Sequence, residues 1–448
     1  MCMKCTIKND IVITNPPQLV VDYINENLII DNPTYQLLLK MGKPLGRVPK
    51  KLRLYSRLGQ DCYILPFGCL GDIWKLIPDK TLYSIEISNF KGNSMIGNIN
   101  LYDYQKMALK SLIQGKNGIL EAPCGSGKTN IALQLIKEIG GRALWLTHTS
   151  KLLEQSKKRC ESYFKGDFGT ITEGKVDIGK DITFATVQTM SKIDPELYKN
   201  AFDIVIVDEC HHCIGSPTNV MQFYKVVTNC NCRYKYGMSA TLKSKNSLSK
   251  SLYYIIGKKL YTIDKNDVKD VTIKASHIKV DVNIQYRQID YCSYDGTMDF
   301  IKLINMLVNN EERNQIIVQK VFEEFTKGKY QLILTHRVEH AKTLANLISR
   351  FSKVSLLTGS TSKSKRNYDS SILIATYQLA QEGLDIPQLN VLHLTTPQKN
   401  STIVTQCVGR VERYIEGKET PLVYDYVDVS IPYCTHCFTT RKNIIKKK

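Results

Sequence analysis

The chain of 448 residues has no run of about 18 apolar residues, so no membrane-spanning helix is expected. Its first ten residues, MCMKCTIKND, lack the apolar core of a secretory leader. No repeat with a period of 20–50 residues and no low-complexity tract is present, which argues against solenoids and disordered scaffolds. Acidic residues are scarce: 42 Asp and Glu stand against 61 Lys and Arg, a formal net charge of +19. Such an excess points to a polyanionic partner, with nucleic acid the leading candidate. The expected compartment is the reducing cytoplasm, where the 14 cysteines are thiols or ligands rather than disulfides.

Length alone suggests two or three domains. From about residue 118, short apolar runs alternate with helical stretches. NGILEAP, GRALWLTH, DITFATVQ, FDIVIVDE and RYKYGMSAT read as buried strands. GKTNIALQLIKEI and SKLLEQSKKRCESYF read as helices between them. The rhythm restarts after a basic, polar stretch at 258–274. There NMLVNNEERNQIIVQKVFEEFTKG reads as one long helix, and YQLILTH, KVSLLTG, SILIATY, LNVLHLTT and PLVYDYVD as strands. Strand–helix alternation implies parallel sheets with crossover helices. The expected architecture is α/β: two tandem parallel-sheet lobes at 98–268 and 269–448, preceded by a small α+β accessory region at 1–97.

GILEAPCGSGKTN is a strand, a glycine-rich loop and a helix. Residues 122–129 fit the phosphate-loop pattern, with Ala122 where the strict form has glycine. Pro123, Cys124, Gly125, Ser126 and Gly127 form the loop. Gly125 and Gly127 allow conformations that turn successive N–H groups inward on an anion. Lys128 can reach the β- and γ-phosphates of a nucleotide, and Thr129 can ligate Mg²⁺. Upstream, Gln105 in LYDYQKMALKSL can pair with the edge of an adenine.

IVIVDECHHCIG poses a choice. Cys210, His211, His212 and Cys213 resemble a metal box, with Cys230 and Cys232 not far off. Asp208 and Glu209 close an apolar strand, where parallel α/β sheets bind their ligands. There Asp208 can hold Mg²⁺ and Glu209 can orient and deprotonate the attacking water. Adjacent His211 and His212 are expected to diverge, which weakens the zinc reading in favour of the acids. A joint site from Cys2, Cys5, Cys434 and Cys437 would need the two chain ends to meet.

The phosphate loop, D-E-C-H, M-S-A-T and a second α/β half ending in QCVGRVER together resemble a superfamily 2 helicase or translocase over about residues 98–430. The resemblance implies two RecA-like lobes that hold ATP and Mg²⁺ between them. It implies that His211, Ser239 and Thr241 couple the acids to the second lobe. Thr147, Thr149 and Gln155 in LTHTSKLLEQ, and Thr186 and Gln188 in ATVQTM, fall where such proteins hold the nucleic-acid backbone; Thr358 and Thr376 are their counterparts in the second half. ATYQLAQEGLDIP resembles the motif whose Gly383 and Asp385 approach the nucleotide. Gln406, Arg410 and Arg413 are expected on one face of a helix. By resemblance, Arg410 and Arg413 are arginine fingers on the γ-phosphate.

D-E-C-H with Q-C-V-G-R is similar to the UvsW, XPB and RecG-like DNA translocases rather than to the DEAD-box RNA helicases. The expected partner is therefore branched or forked DNA, gripped by a monomer. In the leading region Arg47, Lys50, Lys51, Arg53 and Arg57 form a basic cluster suited to duplex phosphates. Two alternatives remain: an RNA helicase or transcription-termination translocase on the same engine, and a non-enzymatic nucleic-acid scaffold.

Overall fold

A strand buried on both faces of a parallel sheet reads as an unbroken apolar run, and IVIV at Ile204–Val207 is one. In the computed structural model it lies near the middle of an eight-stranded sheet. The strand order is Lys175–Asp177, Phe168–Thr172, Ile182–Thr186, Ala143–Thr147, Ile204–Val207, Tyr234–Ser239, Asn117–Glu121, Lys259–Thr262. All neighbours pair in parallel except the first two. The described residues are 3–86, 89–123, 125–240, 248–264, 267–268, 273–357, 370–381, 386, 388–413 and 417–446. Cys2, Cys124, Thr241, Thr358, Gly383 and Asp385 lie outside them.

The chain divides into two compact units, Met1–Asp264 and Lys265–Lys448. In the second, six parallel strands run in the order Ser276–Val282, Leu422–Asp428, Val391–Leu394, Gln331–Thr335, Ile372–Thr376, Val354–Leu357. Two buried ion pairs pin this unit: Arg313 with Asp428, and Arg441 with Asp425. The stretch 305–328 is not one helix. Phe300–Asn309 and Glu311–Thr326 are separate, because Asn310 takes an extended conformation (ψ 114°) and its side chain caps the second helix at Arg313 N. An Asn with a capping side chain offers the backbone an alternative to helix.

Residues 1–97 build their own five-stranded sheet, in the order Ser56–Arg57, Cys62–Pro66, Asp10–Thr14, Lys4–Ile7, Tyr83–Ile85. Their core does not stop there. Ile11, Val20, Ile24, Leu65 and Ile73 belong to one apolar cluster with Val220, Phe223, Val227, Leu252 and Ile255 of the first lobe. Polar ties cross the same seam. The buried Lys235 ammonium donates to Asn9 O at 2.7 Å, and Asn9 Nδ2 donates to Thr228 O at 2.8 Å. Gly68 comes so close that a Cβ there would stand 2.1 Å from Tyr253 O.

Candidate active site

Three neighbouring strands deliver the chemistry to one rim. Asn117–Glu121 lies beside Tyr234–Ser239, which lies beside Ile204–Val207. Beyond Glu121 the loop takes the shape its glycines permit, with φ of 86° at Gly125 and 78° at Gly127. Gly127 is the N-cap of the helix Lys128–Ile139, so the helix's positive end opens onto the loop. Ser126 N donates to Pro123 O at 3.2 Å and tightens the turn. The buried Ser126 hydroxyl has no hydrogen-bond partner, and a phosphate oxygen would supply one.

Lys128 is buried at 8% exposure. Its ammonium donates to Ala122 O at 3.2 Å and lies 3.6 Å from Glu209 Oε1. Asp208 is 6% exposed, and its carboxylate accepts from Ser156 Oγ at 3.4 Å. Burial, and then the neighbouring Glu209, push the Asp208 carboxyl above the usual range; Lys128 pulls the other way. Glu209 sits in the left-handed region (φ 48°, ψ 49°), rare for a side chain of its size. That conformation turns the chain off the strand end into the short helix Cys210–Ile214. Stored strain of this kind clusters at functional sites.

Gln105 is committed within the protein. Its Oε1 accepts from Tyr102 N at 3.0 Å and its Nε2 donates to Ser126 O at 2.8 Å. It therefore ties the N-terminus of its own helix to the phosphate loop. A Cβ on Gly127 would stand 2.3 Å from that Nε2, so the loop glycine and the glutamine are matched in space.

The histidines do not diverge as the sequence suggested. His211 and His212 rings lie 4.1 Å apart, centroid to centroid, and His212 stacks on His148 at 3.6 Å and 22°. The tight turn and the neighbouring strand end, which brings His148 alongside, gather the rings. His211 Nδ1 is 3.0 Å from Ser239 Oγ and 3.4 Å from Glu209 Oε2. Burial lowers His148 to about 4 and His212 to about 3, so both rings are neutral at physiological pH. Cys210 and Cys213 are buried, and burial holds both thiols protonated. Among the described residues no cluster of three or more His, Cys, Asp or Glu is placed to hold a metal. Cys434 and Cys437 are buried on the helix Pro432–Lys446.

Thr149 and Thr186 work locally as helix caps, and Thr147 braces the turn before the first of them. Thr147 Oγ1 donates to Thr149 O, Thr149 caps the helix Ser150–Tyr163 at Leu152 N, and Thr186 caps Val187–Met190 at Thr189 N. Gln155 is half-buried on the first of those helices. Gln188 Oε1 is buried without a hydrogen-bond partner. Arg47, Lys50, Lys51, Arg53 and Arg57 are exposed. Arg57 lies over the Tyr63 ring at 4.3 Å. Arg47 and Lys225 line a cleft of about 570 Å³ with Thr34 and Thr218, where the leading region meets the first lobe.

In the second unit, Thr376 closes its strand and accepts from Leu379 N. Gln406 and Arg410 lie on the helix Ser401–Val411, and Gln406 Oε1 is buried without a hydrogen-bond partner. Arg413 lies beyond that helix, so the shared-face expectation fails for it. Glu412 ends the helix and is held back by Ile273 N on its carbonyl and Ala275 N on its carboxylate.

The donor set fits an ATP–Mg²⁺ complex. The glycine loop, Ser126 and Lys128 would hold phosphates, and the hard oxygens of Thr129 and Asp208 would hold the ion, which neutralises charge on the phosphates. Ser156 in the site and His148 beside it carry no motif of their own. His148 stands between two threonines that the sequence does single out, but its partner His212 is brought near only by strand order.

Residues 98–244 match the family described as "Type III restriction enzyme, res subunit". A protein of Acanthamoeba polyphaga mimivirus named "Putative ATP-dependent RNA helicase" is 28% identical over 350 residues, covering 76% of this chain and 66% of that protein. The ATP-dependent DNA helicase uvsW of Enterobacteria phage T4 is 21% identical over 423 residues, covering 86% and 81%. Among solved structures, S. cerevisiae Dbp5 bound to RNA and ADP BeF3 superposes with a TM-score of 0.59 at 15% identity, covering 78% of this chain and 88% of that one. That likeness shows the fold: two RecA-like lobes.

Proposed function

We propose that this chain, a superfamily 2 helicase with an ATP-hydrolysing core, remodels branched DNA such as forks, junctions and R-loops. In this reading Lys128 and the loop amides bind the phosphates. Thr129 and Asp208 hold the ion, and Glu209 takes the proton of the attacking water. Arg410 and Arg413 complete the site as arginine fingers, with Gln406 beside them, and Gly383 and Asp385 approach the nucleotide. Thr147, Thr149, Gln155, Thr186 and Gln188 of the first lobe, and Thr358 and Thr376 of the second, touch the strand's backbone. The domains are 1–97, 98–268 and 269–448, acting as a monomer on DNA.

One observation carries the DNA reading. The exposed basic cluster Arg47–Arg57 belongs to a region sharing one core with the ATP-binding lobe. A duplex arm held there would move with the engine while the lobe grips the other strand. The +19 charge and the DNA helicase named among the relatives agree with it. The RNA reading has its own support, since the mimivirus relative is named for RNA.

The test compares ATP turnover stimulated by forked DNA, four-way junctions, single-stranded RNA and duplex RNA. Strongest stimulation by branched DNA, lost in Lys128→Ala, is the expected result. Stimulation by RNA alone would transfer the engine to the second reading.

A further inference from the structure

A stack of histidine rings lies beside the residues that would hold the nucleotide. His148 follows the strand Ala143–Thr147, and His212 follows Ile204–Val207 by way of Asp208 and Glu209. These strands are parallel neighbours, with Leu146 opposite Val207. Their ends therefore leave the same rim side by side, although 64 positions separate the two histidines.

The contacts form a continuous path. Glu209 Oε2 lies 3.4 Å from His211 Nδ1. The His211 ring lies 4.1 Å from that of His212, which stacks on His148 at 3.6 Å. His148 sits between Thr147, whose hydroxyl donates to Thr149 O, and Thr149, whose hydroxyl caps the helix Ser150–Tyr163. Two ring nitrogens on the path, His148 Nδ1 and His211 Nε2, are buried without a hydrogen-bond partner. The stack is thus held by ring faces rather than by a closed hydrogen-bond network. A stack of this kind transmits displacement: a shift of one ring moves the next, because packed contacts are stiff.

We propose that His148 and His212 are positioning residues that couple occupancy of the strand-end cap Thr147–Thr149 by a nucleic-acid backbone to the placement of Glu209 and His211. The inference rests on the proposed function. When a phosphate engages the cap, His148 shifts against His212, and His212 moves His211 and the water-orienting carboxylate. In this reading both histidines act through His211 and Glu209 rather than on the nucleotide. A stack serving only to fill space would support folding and unstimulated turnover alike, and would leave the ratio of stimulated to unstimulated turnover unchanged.

The test is a set of full-length variants: His148→Ala, His148→Phe and His212→Phe. ATP turnover is measured with and without a saturating forked DNA, alongside the melting temperature. In His148→Ala, unstimulated turnover stays near that of the wild type while the stimulation ratio falls by about three- to tenfold. The phenylalanine variants keep an aromatic face and recover most of the ratio. If His148→Ala folds and keeps the wild-type ratio, the inference is overturned. If alanine and phenylalanine at 148 lose it equally, stacking is not the link and the inference is again overturned. A wild type stimulated by no polymer would instead overturn the proposed function, and the coupling with it.

Discussion

The Lys128 ammonium lies 3.6 Å from Glu209 Oε1, inside a site where both residues are largely buried. One lysine therefore compensates the carboxylate proposed to activate water and also stands at the end of the glycine loop. Replacing it by alanine removes the proposed phosphate ligand and leaves two adjacent carboxylates with less positive charge to balance them. Lys128→Ala is expected to lower kcat for ATP by at least about 10²-fold, the scale of losing one charged stabiliser of a transition state. Binding of DNA without nucleotide should persist. Steady-state turnover and a filter-binding titration check the two halves.

Gln105 separates two roles. If its amide mainly braces the loop through Ser126 O, Gln105→Ala raises KM for every nucleoside triphosphate alike. If it mainly reads adenine, KM rises for ATP and not for GTP. The expected outcome is the uniform rise, with a stability loss of about 1 kcal/mol for each lost hydrogen bond. KM values for the four nucleotides decide it.

His340 and His393 are buried in the second unit at 2% and 0% exposure. His393 Nε2 donates to Gln331 Oε1 and Nδ1 accepts from the Tyr426 hydroxyl, an arrangement that fits a neutral ring. Burial lowers both to about 3. An unfolded histidine takes a proton near pH 6.5, and these folded ones do not. Stability is therefore unaffected by them above pH 6.5 and falls as the pH drops from there towards 3, by up to about 1.4 kcal/mol per pH unit for each ring. Urea midpoints at pH 7 and pH 5 should differ accordingly, with proton uptake on unfolding at pH 5. Equal midpoints and no uptake would refute it.

Arg441 makes a paired contact with Asp425, at 2.8 Å from Nε and 2.6 Å from a terminal nitrogen, with both residues almost fully buried. Arg441→Ala leaves a buried carboxylate and should cost about 3–5 kcal/mol. Both tryptophans of the chain, Trp74 and Trp145, lie in the other unit. Urea unfolding followed by circular dichroism should therefore shift to lower denaturant, while the tryptophan fluorescence transition holds its midpoint.

Where local backbone chemistry decides an element, the sequence announces it: IVIV followed by two acids, and a glycine loop ahead of a helix, are such cases. What escapes the sequence is non-local. Gln105 meets Ser126 only because a helix folds back over the loop. His148 meets His212 because two strands that are separate in sequence become neighbours. Arg413 leaves the helix because residues from 273–275 capture Glu412, and helical spacing carries no sign of that capture. The 305–328 stretch misleads for the opposite reason: its apolar period runs on through Asn310, and only the capping side chain breaks it.

The seam between the leading sheet and the first lobe bears on how the chain is made. Ile11, Val20 and Ile73 find their partners in Val220, Phe223 and Leu252, which leave the ribosome much later. At about 5–20 residues per second, the early strands wait on the order of ten seconds with an apolar face uncovered. Pairings of such long sequence separation also close slowly. The first 97 residues are then the part of the newborn chain with most need of a chaperone, and the part whose aggregation would limit the yield of the protein.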